Sequence, residues 1–287
     1  MFKPGKRNLS PDEQESYAKD PLFKWIVFSI VPIQLLFVVY FLNVITEPLT
    51  LTEQFGRITS LGVLCGIFGI NVGHELGHRS NRFEQFLGEI LLLTSLETHF
   101  LPFHNKGHHY YVATPKDPAT ARKNETVFAF WFRSQIGSYI QAWKIVQKDL
   151  TKKGRSFISL SNRMLWYTLA QLTLLACIYL IFGTLPRLSF LGAALFGILM
   201  LETVNYIEHY GLQRKLKESG NYERVQPWHS WNSDHQVGRS ILFELSRHSD
   251  HHYKACLLYT SDAADDNRVV GWGGGGGGGG VGGGGGG

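Results

Sequence analysis

"ITSLGVLCGIFGINVGHELGH", residues 58–78, runs from an uncharged apolar stretch straight into two histidines four residues apart. The sixteen residues before His74 carry no charge and suit a lipid environment. The pair itself has the HExxH form that soluble zinc proteases use, with Glu75 as the base. The two halves point in different directions, to a membrane helix and to a soluble metalloprotease site. The rest of the chain has to decide between them.

Three further runs resemble the first half. Residues 25–42 are uncharged, residues 164–185 are uncharged, and residues 188–207 contain a single acid, Glu202. Each is long enough to cross a bilayer, whereas 86–96, apolar apart from Glu89, is too short and is expected as a re-entrant or buried helix. The first run follows a polar stretch and has no small-residue cleavage site after it, so it does not read as a signal peptide. The expected fold is therefore all-α, a polytopic membrane helical bundle.

Basic residues set the orientation. Residues 116–163 hold ten Lys/Arg against three Asp/Glu, while 43–55 hold Glu47 and Glu53 and no basic residue. The basic side is expected to be cytoplasmic, which brings the ends of the second and fourth spans to that face. Membrane topology accounts for this positive charge, and no nucleic-acid partner is expected. The three cysteines lie far apart with no CxxC, which excludes a zinc ribbon, an iron–sulfur motif, a rubredoxin-type knot and a disulfide framework within this chain. Fifteen of the last seventeen residues are glycine. Residues 256–287 look like a non-native adaptor and poly-Gly tail, leaving 1–255 as the membrane domain, an incomplete one.

Histidines carry the chemistry. Besides His74 and His78 there are His104, His108 and His109 in HNKGHH, His209 in NYIEHYG, and His248, His251 and His252 in RHSDHH. On an α-helix, residues three and four apart share a face. His74 with His78, His104 with His108, and His248 with His251 or His252 are thus expected to share an ion. His109 points about 100° away from His108 and is expected to reach a second ion. Gly107 is expected to leave room for a close metal. Nine imidazoles exceed what one ion takes, so two metals with four or five imidazoles each are expected, and imidazole suits iron, copper, zinc and nickel alike. Glu75, Glu208 and Asp250 adjoin these histidines and are candidate acceptors for imidazole N–H groups. His99, His229 and His235 are isolated or irregularly spaced and read as packing or hydrogen-bonding residues.

HELGHR, HNKGHH, NYIEHYGLQR, PWHSWNSDH and RHSDHH, in this order, resemble the boxes of the membrane-bound alkane 1-monooxygenases of the AlkB type, over about residues 8–252. NYIEHYGLQR separates that group from the wider fatty acid desaturase and hydroxylase superfamily. The resemblance implies a non-haem di-iron enzyme of the bacterial inner membrane, with its site on the cytoplasmic side. Such an enzyme hydroxylates the terminal carbon of medium- or long-chain alkanes with O2 and takes electrons from rubredoxin and rubredoxin reductase. The implied iron ligands are His74, His78, His104, His108, His109, His209, His248, His251 and His252. Phe103 and Trp228 depart from the family's usual residues, and four spans stand here where the family has six. Rival readings are a xylene-type methyl monooxygenase or a fatty-acyl desaturase, an intramembrane zinc protease built on His74, Glu75 and His78, and a metal transporter or sensor.

Overall fold

A computed structural model describes residues 16, 20–243, 246 and 248–254, apart from the side chains of 236, 250, 253 and 254. The tail 256–287 and the side chain of Asp250 lie outside this description. Among the described residues the protein is helical, with one isolated β-bridge between Leu216 and Tyr222 and no strand. Four helices are long and apolar enough to cross a membrane: α1 (Pro21–Val44), α2 (Leu51–Gly77), α6 (Arg163–Phe182) and α7 (Thr184–His209). Between them lie α3 (Arg82–Thr94), α4 (residues 100–111) and the long α5 (Val127–Lys152). Two short helices, α8 (Gln236–Ile241) and α9 (His248–Lys254), follow. Leu180 and Ile181 on α6 are 79% and 72% exposed, a degree of apolar exposure that a bilayer covers. The chain is a membrane protein.

Local chemistry fixes the helix starts. Asp20 caps α1 by accepting from the Leu22 N–H at 2.9 Å, and Pro21 fills the position where no donor is needed. Thr50 and Glu53 form a reciprocal capping box at the start of α2. The third and fourth spans divide at Gly183, whose φ of +90° few side-chain-bearing residues adopt. The fourth helix thus begins at Thr184, earlier than the apolar run alone suggests.

The short segment around 86–96 is α3, and it packs against the end of α2 without crossing the bundle. Glu89, the one charge within 86–96, pairs with Arg163 and accepts from the Tyr167 hydroxyl at 3.0 Å, which ties α3 to the start of α6. The α2–α3 contact is close enough to demand glycine. A Cβ on Gly88 would lie 2.7 Å from the Gly73 carbonyl oxygen and 3.1 Å from the Gly77 nitrogen, both backbone atoms. Gly88→Ala is therefore expected to destabilise the protein by about 3 kcal/mol, the upper part of the usual overpacking range. The check is the thermal unfolding midpoint in detergent, and an unchanged midpoint contradicts the packing described.

Candidate metal centre

The nine histidines of the four boxes converge, and they do so in two groups. His74, His78, His104, His109 and His251 form one; His108, His209, His248 and His252 form the other. Within each group one nitrogen from every ring lies within 4.8 Å of the rest. The ends of α2 and α7 bring His74 and His209 together, α4 supplies three rings between them, and α9 closes the assembly.

The expected pairing of His74 with His78 holds, with their Nε2 atoms 2.7 Å apart one helical turn from each other. His248 pairs with His252 in the same way at 2.8 Å, while His251 joins the other group. The pairing of His104 with His108 is overturned. Residues 104–108 are π-helical, and the His109 N–H bonds to the His104 carbonyl five residues back. This wider turn brings His104 and His109 onto one side, Nε2 to Nε2 at 2.9 Å, and sends His108 to the second group. Gly107 also differs from expectation. A Cβ there would meet Gln141 Oε1 and Ile145 Cδ1 of α5, each at 3.1 Å, so the glycine makes room for α5 and not for a metal.

The geometry fits imidazoles sharing an ion better than imidazoles hydrogen-bonded to one another. His74 Nε2 lies 2.7 Å from both His78 Nε2 and His104 Nε2. A neutral ring nitrogen carries one proton or one lone pair and cannot serve two such partners. The rings also meet at 77° and 83°, edge to face rather than along one line. Two nitrogens about 2.1 Å from one ion and at right angles sit about 3.0 Å apart. The closest Nε2 pairs in the two groups run from 2.7 to 3.1 Å. Burial, then the neighbouring imidazoles, push His104, His109 and His252 well below the usual histidine range, and His251 falls to about 3. These rings are neutral at neutral pH and have a lone pair to offer.

Outer contacts fix the rings. Asp117 Oδ2 lies 2.8 Å from His108 Nδ1, and the carboxylate also accepts from Thr120 Oγ1 at 2.6 Å and the Ala119 N–H at 3.1 Å. Burial raises the Asp117 pKa, but His108 and these hydrogen bonds outweigh it and hold the group below the ordinary aspartate value. An ionised Asp117 places the His108 proton on Nδ1 and leaves Nε2 free to face the second group. Sequence spacing gave no hint of Asp117, which stands nine residues beyond its partner in a loop. Glu208 Oε2 stands 3.3 Å from His248 Nδ1, outside hydrogen-bond geometry. Glu75 pairs instead with Arg79, two residues past the end of α2, at 2.7 Å. His99 Nε2 and His229 Nε2 lie outside the groups, 3.4 Å from Glu97 and Glu223 respectively, and His235 is exposed.

An apolar cavity of about 60 Å³ opens onto the histidines between α2 and α7. Ile67, Ile70, Met200 and Val204 line its walls, and His74, His104 and His248 form part of its inner surface. The wall on the α2 side is a π-helical segment, Cys65–Val72. Its Asn71 Nδ2 donates to the Leu242 carbonyl at 2.9 Å, holding the segment after α8 against the bundle.

The fatty acid desaturase family profile matches residues 55–257. The chain is 41% identical over 217 residues to an alkane 1-monooxygenase of Ectopseudomonas oleovorans, covering 75% of this chain and 54% of that protein. An alkane 1-monooxygenase of Acinetobacter baylyi is 36% identical over 248 residues, 85% of this chain and 60% of the relative. The xylene/toluene monooxygenase hydroxylase component of Pseudomonas putida is 29% identical over 208 residues, 72% and 54% of the two chains. The chain thus spans little more than half the length of the curated relatives it matches.

Proposed function

Since this chain belongs to the fatty acid desaturase family, we propose that it is a non-haem di-iron monooxygenase that hydroxylates the terminal carbon of medium- or long-chain alkanes with O2. The observation that carries this reading is the set of nine imidazoles in two groups at the inner end of an apolar cavity. In this reading His74, His78, His104, His109 and His251 hold one iron, and His108, His209, His248 and His252 hold the other. Residues 1–255 are the hydroxylase domain, in a bacterial inner membrane with the site on the cytoplasmic side.

An alkane offers no polar handle, so burial drives its binding at about 25 cal/mol per Å² of apolar surface. The cavity walls exclude water and aim one chain end at the histidines, while the depth of the cavity limits chain length. Two irons, when bound, supply the oxidising power that an unactivated C–H bond demands, and the protein supplies their geometry. Rubredoxin, reduced by its reductase, delivers the electrons. The three scattered cysteines support an external carrier, and the basic segment 116–163 suits an acidic one.

The test is product analysis with octane, xylene and an acyl chain, supplied with reduced rubredoxin and O2. The expected outcome is 1-octanol from octane and two irons per chain by metal analysis. Methyl hydroxylation of xylene alone favours the reading suggested by the xylene-oxidising relative, and one zinc with no iron sinks the proposal. Val204→Trp, which fills the cavity wall, is expected to shorten the longest accepted alkane by several carbons without loss of metal. Turnover across an alkane series checks this.

A further inference from the structure

A second buried polar assembly lies apart from the histidine groups, between α5, α7 and the loop before α4. Glu97 in that loop is 1% exposed; its Oε2 accepts from Gln135 Nε2 at 2.9 Å and its Oε1 stands 3.4 Å from His99 Nε2. Glu202 on α7 is 3% exposed and lies beside Ser134 of α5 and Asn205, and Asn205 lines the apolar cavity. At the other end, the His99 ring packs edge-on against Tyr139, which is 40% exposed. The assembly therefore reaches from the surface at Tyr139 to the cavity wall.

Its hydrogen bonding within the protein is incomplete. His99 Nε2, Ser134 Oγ, Gln135 Oε1 and Glu202 Oε2 are all buried without a protein partner in hydrogen-bond geometry. Buried polar atoms of this kind are ordinarily met by ordered water, and acids alternating with water carry protons. Burial, then the Glu202 charge, raise Glu97 to about 8 against the pull of Gln135, so it holds a proton near neutral pH. The charged groups facing Glu202 are Glu97, Asp117 and Arg133, and Arg133 is itself tied to Glu125 at 2.6 Å.

We propose that Glu97 and Glu202 form a proton route from the Tyr139 surface to the cavity, feeding the protons that hydroxylation consumes. This rests on the hydroxylation reading above. In that reaction RH, O2, two electrons and two protons give ROH and H2O. A C–H and an O–O bond break, the carrier protein is oxidised, and one oxygen atom leaves as water with the two protons. Glu202 passes protons towards the cavity beside Asn205 and regains them from Glu97 across Ser134 and Gln135. Both glutamates are positioning residues for proton supply and act through water.

The experiment uses the iron-loaded full chain in lipid, as wild type, Glu202→Gln and Glu202→Asp. Metal content, octane hydroxylation across pH in H2O and D2O, and the infrared band of a protonated carboxylic acid are measured. Glu202→Gln is expected to keep wild-type iron, slow by about 10²-fold, show a larger solvent isotope effect and alter the carboxylic acid band. Glu202→Asp is expected to recover part of the rate. A Glu202→Gln protein with unchanged rate and isotope effect overturns the route, as does one that loses iron and rate together. A wild type that shows the band but forms no alcohol overturns the hydroxylation reading and the delivery role with it. The band is measured without turnover, so the two failures are distinguishable.

Discussion

His251→Ala is expected to lose metal and oxygen-dependent product together, with alcohol formation falling below detection. His251 is buried on α9 and belongs to the same group as His74 and His78, although 173 residues of chain separate it from His78. Its removal takes one of five imidazoles from that group and opens a polar hole against the His74 and His109 rings, whose centroids lie 4.8 and 4.9 Å away. A zinc protease built on HExxH predicts the opposite, because His251 stands outside its motif. Iron analysis of the purified variant alongside the octane assay decides. Full activity with normal iron contradicts the two-group site.

Asp117→Ala is the second large effect. The carboxylate orients His108 through Nδ1 and is itself held by Thr120 and the Ala119 N–H. Removing such a partner typically weakens metal binding by about 10- to 100-fold, because the ring loses both its tautomer and its orientation. Asp117→Asn keeps an oxygen that can accept from Nδ1–H, so it is expected to recover much of the affinity. Competition with a chelator measures the difference. Equal affinities for wild type and Asp117→Ala contradict the role assigned to this contact.

The spans were legible because lipid demands long uncharged runs, and residues 58–73 or 164–185 could hardly serve another purpose in such number. The nine histidines were legible because side chains that meet on adjacent turns recur at fixed spacings. That same template misread HNKGHH. A spacing rule assumes 3.6 residues per turn, and nothing in the letters announces the wider turn that joins His104 to His109. Gly107 was misread for a related reason, since its neighbour is α5, a helix whose approach depends on the whole bundle. Asp117 escaped because a contact made through a loop has no period. The boundary at Gly183 differed because an apolar run shows what lipid tolerates, not where a backbone turns.

The splitting of neighbours between the two groups has a thermodynamic consequence. His108 and His109 face different groups, and so do His251 and His252. Neither half of the centre can be ordered without drawing its adjacent residue, and hence its helix, towards the other half. If each group holds one ion, the first to bind fixes α4 and α9 for the second, which then loses less conformational freedom on arrival. Loading is then expected to be cooperative: a Hill coefficient above one in titration of the apoprotein, with single-ion chains a minor species throughout, is the outcome that checks it.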